Sequence, residues 1–416
     1  MPWPETDPVK ERKKFILEVQ GGLFSFAEAC RRFGISRQKG YKWLERYELD
    51  GVDGLEDRSH RPLHCPHATP EYVLEAAFDL RWHKPRWGAL KILERLATLH
   101  PEWRLPGERV LHRHLVRAGF VEKKKRSTTR PHPGRPTAPF DAPNAIWSAD
   151  FKGQFKTLDG IYCYPLTVQD GFSRSLLGCQ ALLGPTHRDT RLVLTRLFRE
   201  YGLPQRLRTD NGTPFASMAL GRLSQISVWL IKLGVLPDLI EPGSPQQNAR
   251  HERMHKDLKA ETTIPPSANR RAQQRRFDTW RVEFNEIRPH ESLANKTPAS
   301  VYQPSPRPFP SKLAAPEYPD HLETRKVSTN GGIRWQSVWI NVSQLLAGEY
   351  IGLEEIDNDV WAVSYGPVTL GWMHVHKAAI LDSDGFTSRN PRRRALAPAA
   401  LSRLGLHRLK EDYLNN

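Results

Sequence analysis

Cysteine is scarce and scattered. Cys30, Cys65, Cys163 and Cys179 are spread over 416 positions with no Cys-x-x-Cys pair. That excludes a disulfide framework and fits a reducing compartment. Near Cys65, His64 and His67 are crowded by Pro66 and read as linker residues rather than metal ligands. No run of eighteen apolar residues exists, so no membrane-spanning helix is expected. The opening MPWPETDPVKERKK lacks the apolar stretch of a secretion signal, and the cytoplasm is the expected location. True sequence repeats are absent. Acid is in the minority, with 46 Asp and Glu against 62 Lys and Arg.

Hydrophobic residues make up 38% of the chain, enough for several small cores, and the length suggests two to four domains. The net charge of +16 points to a polyanionic partner, because each phosphate neutralised releases condensed counterions. Its distribution is uneven. Between Arg104 and Arg135 stand ten Lys or Arg against Glu108 and Glu122 alone, with further clusters at Arg270–Arg276 and Arg392–Arg394. Nucleic acid is the favoured partner.

Residues 9–48 read as three helices. Ser25 and Glu28 have capping-box spacing, Gly34 stops the second helix, and Ser36 caps a third that runs through Tyr47. This is a helix-turn-helix pattern whose last helix enters the major groove, with Arg37, Gln38, Lys39 and Lys42 as candidate DNA contacts. Residues 70–121 repeat the theme. Val110, Leu111, Leu115 and Val116 point inward on the last helix, and Arg113 and Arg117 point outward as DNA contacts. The basic linker 122–138 follows, with Lys123, Lys124 and Lys125 expected to track phosphates.

From Ala145 the texture changes. Strands are predicted over Ile146–Phe155, Tyr162–Val168 and Ser175–Gln180, then a helix at Thr190–Tyr201 and a strand at Arg206–Thr209. A helix at Leu220–Leu233, a strand at Asp238–Ile240 and a long polar helix from Ala249 complete the segment. The outcome is a mixed sheet with helices on both faces, in the order of ribonuclease-H-like folds. Trp147, Trp229, Trp280 and Trp372 are expected in cores. The expected domains are helix-turn-helix modules at 1–57 and 70–121 and an α/β catalytic core at 139–303. A Pro-rich linker (304–320), a small β-barrel (321–382) and a basic tail (383–416) follow.

Asp150 lies in the first strand of that sheet and Asp210 ends the fourth, so the fold sets them side by side. Two adjacent carboxylates raise each other's pKa, and a divalent cation removes the penalty. Magnesium suits such hard oxygen ligands, manganese can substitute, and a third acid permits a second ion. Glu252 is the first choice for that acid, with Glu241 and Glu261 as competitors. It follows the loop Pro242–Asn248, whose Gln246 and Asn248 can approach DNA. It shares a helical stripe with His255, Lys256 and Lys259, the lysines being phosphate contacts.

Taken as an ordered set, these motifs resemble the integrase catalytic core of bacterial insertion-sequence transposases, relatives of retroviral integrases. The matching pieces are Trp147–Asp150, Asp170-Gly171-Phe172-Ser173-Arg174, Thr209-Asp210-Asn211-Gly212, Ser244–Lys259 and Phe284–His290 with Leu293 and Thr297-Pro298. Ala249 stands where many relatives carry Gly, and the interval from Asp210 to Glu252 is longer than usual. The resemblance implies a DDE triad of Asp150, Asp210 and Glu252 that binds two magnesium ions. It also implies cleavage of phosphodiester bonds at element ends and strand transfer into target DNA. The expected partners are double-stranded DNA, as terminal repeats and target, and further copies of the chain. Two rivals stand beside this reading. One is a non-catalytic DNA-binding regulator derived from a transposase. The other is a zinc metalloprotease built on His251-Glu252-x-x-His255 with Glu286 as third ligand. A polar helix facing water or phosphate argues against the protease.

Overall fold

The computed structural model describes residues 7–58, 68–121, 140–240 and 249–381, except the side chains of residues 249 and 250. The chain divides into two compact units, Met1–Pro70 and Glu71–Asn416. No helix among the described residues is long and apolar enough to cross a membrane.

The first unit is α1 (Pro8–Gln20), α2 (Phe26–Arg32) and α3 (Arg37–Asp50) around Phe15, Ile16, Ala29, Cys30 and Leu55. Asp7 caps α1 through Val9 N at 3.0 Å, and Ser36 caps α3 through Lys39 N. Ser25 sits at the N-cap of α2 in extended geometry, but its hydroxyl makes no cap bond, so the expected capping box does not form. Gly34 turns the chain at φ +63°, where a side chain is strained. Gly40 lets α3 cross close to α2, since a Cβ there would lie 2.7 Å from Cys30 Sγ. Arg37, Gln38, Lys39 and Lys42 are all exposed on α3.

The second unit opens with α4 (Glu71–His83), α5 (Ala89–Leu99) and α6 (Glu108–Arg117), packed on Trp87, Ile92, Leu96, Leu111 and Leu115. Arg113 and Arg117 are exposed on α6 as expected, but so is Val116, which lies off the buried stripe at 40% exposure.

A six-stranded sheet follows, containing β1 (Ile146–Phe151), β2 (Phe155–Lys156), β3 (Tyr162–Asp170), β4 (Leu176–Leu182), β5 (Arg206–Thr209) and β6 (Leu236–Leu239). β3 lies between β4 and β1, antiparallel to both, and β1 continues through parallel β5 to β6. The single strand predicted at 146–155 is thus β1 followed by short β2, which also pairs β3. Strand alternation sorts the side chains. Trp147, Ala149, Leu166, Val168 and Leu207 enter one core with α7 (His187–Tyr201) and α8 (Gln225–Lys232). Opposite lie α9 (Ala249–Thr262) and α10 (Arg270–Val282), over Cys163, Cys179, Met254, Leu258, Phe277 and Trp280. The helix predicted from Leu220 starts only at Gln225, because Gly221 at φ +61° breaks the preceding turn. The chain then passes α11 (Pro298–Val301).

The proline-rich stretch after α11 lacks regular structure but is bound to the core. Arg307 donates to the carbonyls of Pro204 and Gly234 at 2.8 and 2.7 Å, and Leu203 N donates back to Arg307 O. Next come β7 (Glu323–Lys326), β8 (Gly332–Trp335), β9 (Val338–Asn341), β10 (Tyr350–Asp357), β11 (Val360–Tyr365), β12 (Val368–His374) and β13 (Ala379–Leu381). β8 and β9 form a hairpin, because Gln336 and Ser337 both take positive φ and reverse the chain. The other five strands form one sheet in the order β13-β12-β11-β10-β7. Sheet and hairpin share a core around Ile333, Trp335, Ile340, Leu353, Val363 and Met373, which Leu220 and Ile231, from the segment before and within α8, join. Among the described residues the end strands do not pair. The expected barrel is here an open sheet with a hairpin.

Candidate active site

Three pieces of backbone converge on the sheet face covered by α9. On β1 the inward Trp147 and Ala149 face α7 and α8, so Ser148 and Asp150 face α9. The parallel ladder pairs Ser148 with Arg208, and two further residues of that register set Asp150 beside Asp210. Gly212 N donates to Asp210 Oδ1 at 3.1 Å, and Asn211 Nδ2 holds Ile240 O at 2.8 Å, which fixes the turn carrying this acid. Glu252 is exposed on the first turn of α9.

Asp150 lies half-buried on the sheet and within the field of the other two acids. Burial pushes the Asp150 carboxyl up to about 7, and the negative charges of Asp210 and Glu252 push the same way. The Phe151 backbone and Lys152 oppose them. A carboxyl half-protonated near neutrality, with two acids as neighbours, is a site short of positive charge. The donor set is all carboxylate oxygen, which fits a hard divalent cation.

Beneath the acids is a group that sequence reasoning missed. Thr167 is the cross-strand partner of Asp150 on β3 and is fully buried. Its Oγ1 lies 2.6 Å from His251 Nε2, 2.7 Å from His255 Nε2 and 3.1 Å from the Asp150 carbonyl. A hydroxyl has one proton to give, and the carbonyl can only accept. All three contacts are hydrogen bonds only if both imidazoles carry their proton on Nε2. His251 Nδ1 is then a buried lone pair, consistent with its lack of a partner. Burial holds both rings neutral: His251 is pushed down to about 3, and His255 is lowered further by its neighbour His251 and by Lys152.

The α9 surface differs from the expected one. His251, Met254, His255 and Leu258 form its buried face, at 0%, 3%, 3% and 0% exposure. His255 therefore leaves the stripe it was expected to share, and Glu252, Lys256 and Lys259 stay exposed. The helix is not polar all round, so polarity does not argue against a zinc protease. His251, His255 and Asp150 offer ligand atoms within 4.8 Å of one another, with His255 Nδ1 3.7 Å from Asp150 Oδ2 and both Nε2 atoms bonded to Thr167. Glu286, the third ligand the protease reading needs, is exposed and outside this group. Of the competing acids, Glu261 accepts from Trp280 Nε1 at 2.6 Å and from Arg288, a structural role. Glu241 lies outside the described residues.

The remaining motif residues brace the fold. Asp170 is buried and accepts from Asn144 N, Ser173 N and Ser173 Oγ, closing the turn before β4. Asn285 clips Leu176 through both its amide atoms. Arg288 ties Asp257 at 2.6 Å.

An integrase core domain model matches the chain at residues 141–245 and again at 233–298, and a helix-turn-helix domain matches residues 11–62. The insertion element IS476 uncharacterized 39.2 kDa protein of Xanthomonas euvesicatoria is 31% identical over 280 residues, 66% of this chain and 77% of that protein. The chain belongs to the bacterial insertion-sequence transposases with an integrase-like core. The insertion element IS407 uncharacterized 31.7 kDa protein of Burkholderia multivorans is 32% identical over 165 residues, 38% of this chain and 55% of that protein. Among solved structures, the HTLV-2 integrase catalytic core domain in complex with magnesium aligns at 16% identity and a TM-score of 0.32. It covers 39% of this chain and 99% of that one. Of the DNA contacts expected for a transposase, the exposed α3, α6 and α9 residues are in place on their helices. Lys123, Lys124, Lys125, Gln246 and Asn248 lie outside the described residues.

Proposed function

We propose that the chain is a magnesium-dependent DNA transposase whose Asp150, Asp210 and Glu252 carry the chemistry. The observation that supports this most is the Asp150 carboxyl on β1, set beside Asp210 by the β1–β5 register and lifted to about 7 by burial and then by the Asp210 and Glu252 charges. Asp150 and Asp210 hold one ion, while Asp150 and Glu252 share a second; manganese serves in place of magnesium. A divalent cation bound there supplies Lewis-acid stabilisation of the charge that builds on the phosphate and its attacking and leaving oxygens.

Water attacks a phosphodiester at the element end, the P–O3′ bond breaks, and a free 3′-hydroxyl results. That hydroxyl then attacks a target phosphodiester and displaces its 3′-oxygen. Neither step needs a covalent enzyme intermediate. Lys256 and Lys259, on the exposed stripe with Glu252, contact the strand's phosphates. Thr167 and its two imidazoles fix the end of β1, and so the Asp150 backbone, against α9.

The helices α1–α3 present Arg37, Gln38, Lys39 and Lys42 to a major groove, and α4–α6 serve as a second such module through Arg113 and Arg117. The linker lysines 123–125 add affinity rather than sequence choice, and Gln246 and Asn248 meet the DNA end. We assign residues 139–303 to catalysis, 304–320 to a connecting strap and 321–382 to an accessory β module. The work is done in the bacterial cytoplasm, at the nucleoid, by more than one copy, because cut and joined sites lie on different DNA segments.

The test uses duplexes copied from the DNA ends flanking the gene, incubated with wild type or Glu252→Gln, in magnesium or EDTA. Nicking or joining by wild type in magnesium alone, absent from the variant, is the expected result. Tight binding of the ends without cutting by either protein makes the chain a DNA-binding regulator instead.

A further inference from the structure

Beside α9, on the same side of the sheet as the acids, lies a cavity of about 420 Å³. Its volume is that of a small-molecule site. Four cations line it from four different elements: Lys91 on α5, Arg174 in the turn after β3, Arg253 on α9 and Arg288 beyond α10. Only Asp257 and Glu291 oppose them within the wall. Asp257 is already held between Arg86 at 3.0 Å and Arg288 at 2.6 Å.

Lys91 and His290 both sit in this positive field. Lys91 is lowered, by burial first and then by Arg288 and Arg253, against the pull of Asp257 and Glu291. His290 is pushed down to about 3 by burial and by Lys91, Arg288 and Arg174. One His290 nitrogen bonds the Phe284 backbone, and its Nε2 is buried without a partner. The His290 ring meets Phe284 edge-on at 4.8 Å, and Met254 completes an apolar wall beside the two rings.

A wall of cations that also carries the His290 ring matches a phosphate joined to a planar heterocycle. The position says which one. Arg253 follows Glu252 directly, and Gln169 in the cavity wall is two residues from Thr167 on the same face of β3. We propose that this cavity takes one nucleotide of the DNA strand running past the acids, its phosphate among Lys91, Arg174 and Arg253, its base against His290. The inference rests on the transposase reading and adds to it a specific subsite. It gives the α4–α6 module, through Lys91, a part in placing the strand at the catalytic sheet.

The test places 5-iododeoxyuridine at successive positions near the nicked bond of an end duplex, irradiates the complex with full-length protein and maps the adducts. A single position is expected to cross-link to Phe284, His290 or Met254. Lys91→Ala combined with Arg253→Ala should lower that yield about tenfold while leaving the metal-free melting temperature and cross-links at α3 unchanged. Adducts only outside the cavity, or a wild-type yield from the double variant, overturn the proposal. Nicking by wild type with no adduct here sinks the subsite alone, whereas a wild type that neither nicks nor binds the duplex sinks the transposase reading with it.

Discussion

Replacing Thr167 with Val removes one oxygen and adds one methyl of nearly the same size. The side chain is fully buried, and the lost hydroxyl served His251 Nε2 at 2.6 Å, His255 Nε2 at 2.7 Å and the Asp150 carbonyl at 3.1 Å. No cavity opens, so the cost is that of stranded polar groups. Two buried N–H donors left without acceptors cost about 1–3 kcal/mol each. The added methyl returns roughly 0.8 kcal/mol. A net destabilisation of about 1–5 kcal/mol is expected, seen as a drop on the order of 10 °C in the melting transition of the catalytic region. Thr167→Ser keeps the oxygen and should lose less than about 1.5 kcal/mol. Differential scanning calorimetry of the metal-free protein reads both. A Val variant as stable as wild type, or a Ser variant as damaged as the Val variant, refutes the hydroxyl's role as the shared partner of the two imidazoles.

Two further perturbations follow from the same geometry. Asp150 is raised in the folded state, to about 7 from 3.8. Its contribution to stability is therefore full below about pH 4 and is lost as the pH rises through 7. Asp150→Asn should stabilise the metal-free protein by a few kcal/mol (order of magnitude) at pH 8 and by almost nothing at pH 4. Denaturant titrations at the two pH values check this, and an equal effect at both contradicts it. In the first unit, Gly40→Val drives a side chain into Cys30 Sγ, 2.7 Å from the first added carbon, with the Phe26 and Phe15 rings 3.0 and 3.1 Å away. The α2–α3 crossing should lose about 1–3 kcal/mol, and DNA binding by α3 should fall with it. Retained helicity and binding would show that the crossing is not tight.

Much of this site was legible because strand chemistry is local. Alternation around Trp147 and Ala149 fixes the face of Asp150, and Thr209-Asp210-Asn211-Gly212 marks a strand end and a turn. The histidines were harder. His251, Met254, His255 and Leu258 do have the spacing of a buried helical face. Two of the four are imidazoles, which ordinarily count as polar, and their partner Thr167 lies over eighty residues earlier. Glu261 could be set aside only in three dimensions, once Trp280 and Arg288 were seen to hold it. Composition misled at the proline-rich segment, where one side chain, Arg307, binds backbone carbonyls of two separate loops. Gln336-Ser337 gave no signal, being a two-residue turn without the usual Gly, Asn or Asp.

The central claim is that the ion sits among Asp150, Asp210 and Glu252, and not between Asp150 and the histidines. The direct measurement is manganese binding by the full-length protein, followed by the loss of free-ion electron paramagnetic resonance signal. It would be made for wild type, Asp210→Asn, Glu252→Gln and His255→Asn. The expected result is an affinity at least about tenfold weaker in both acid variants and a smaller loss in His255→Asn, whose ring stands beside Asp150 as a support rather than a ligand. Binding abolished in His255→Asn but unchanged in Glu252→Gln would place the metal on Asp150, His251 and His255 and contradict the three-carboxylate site.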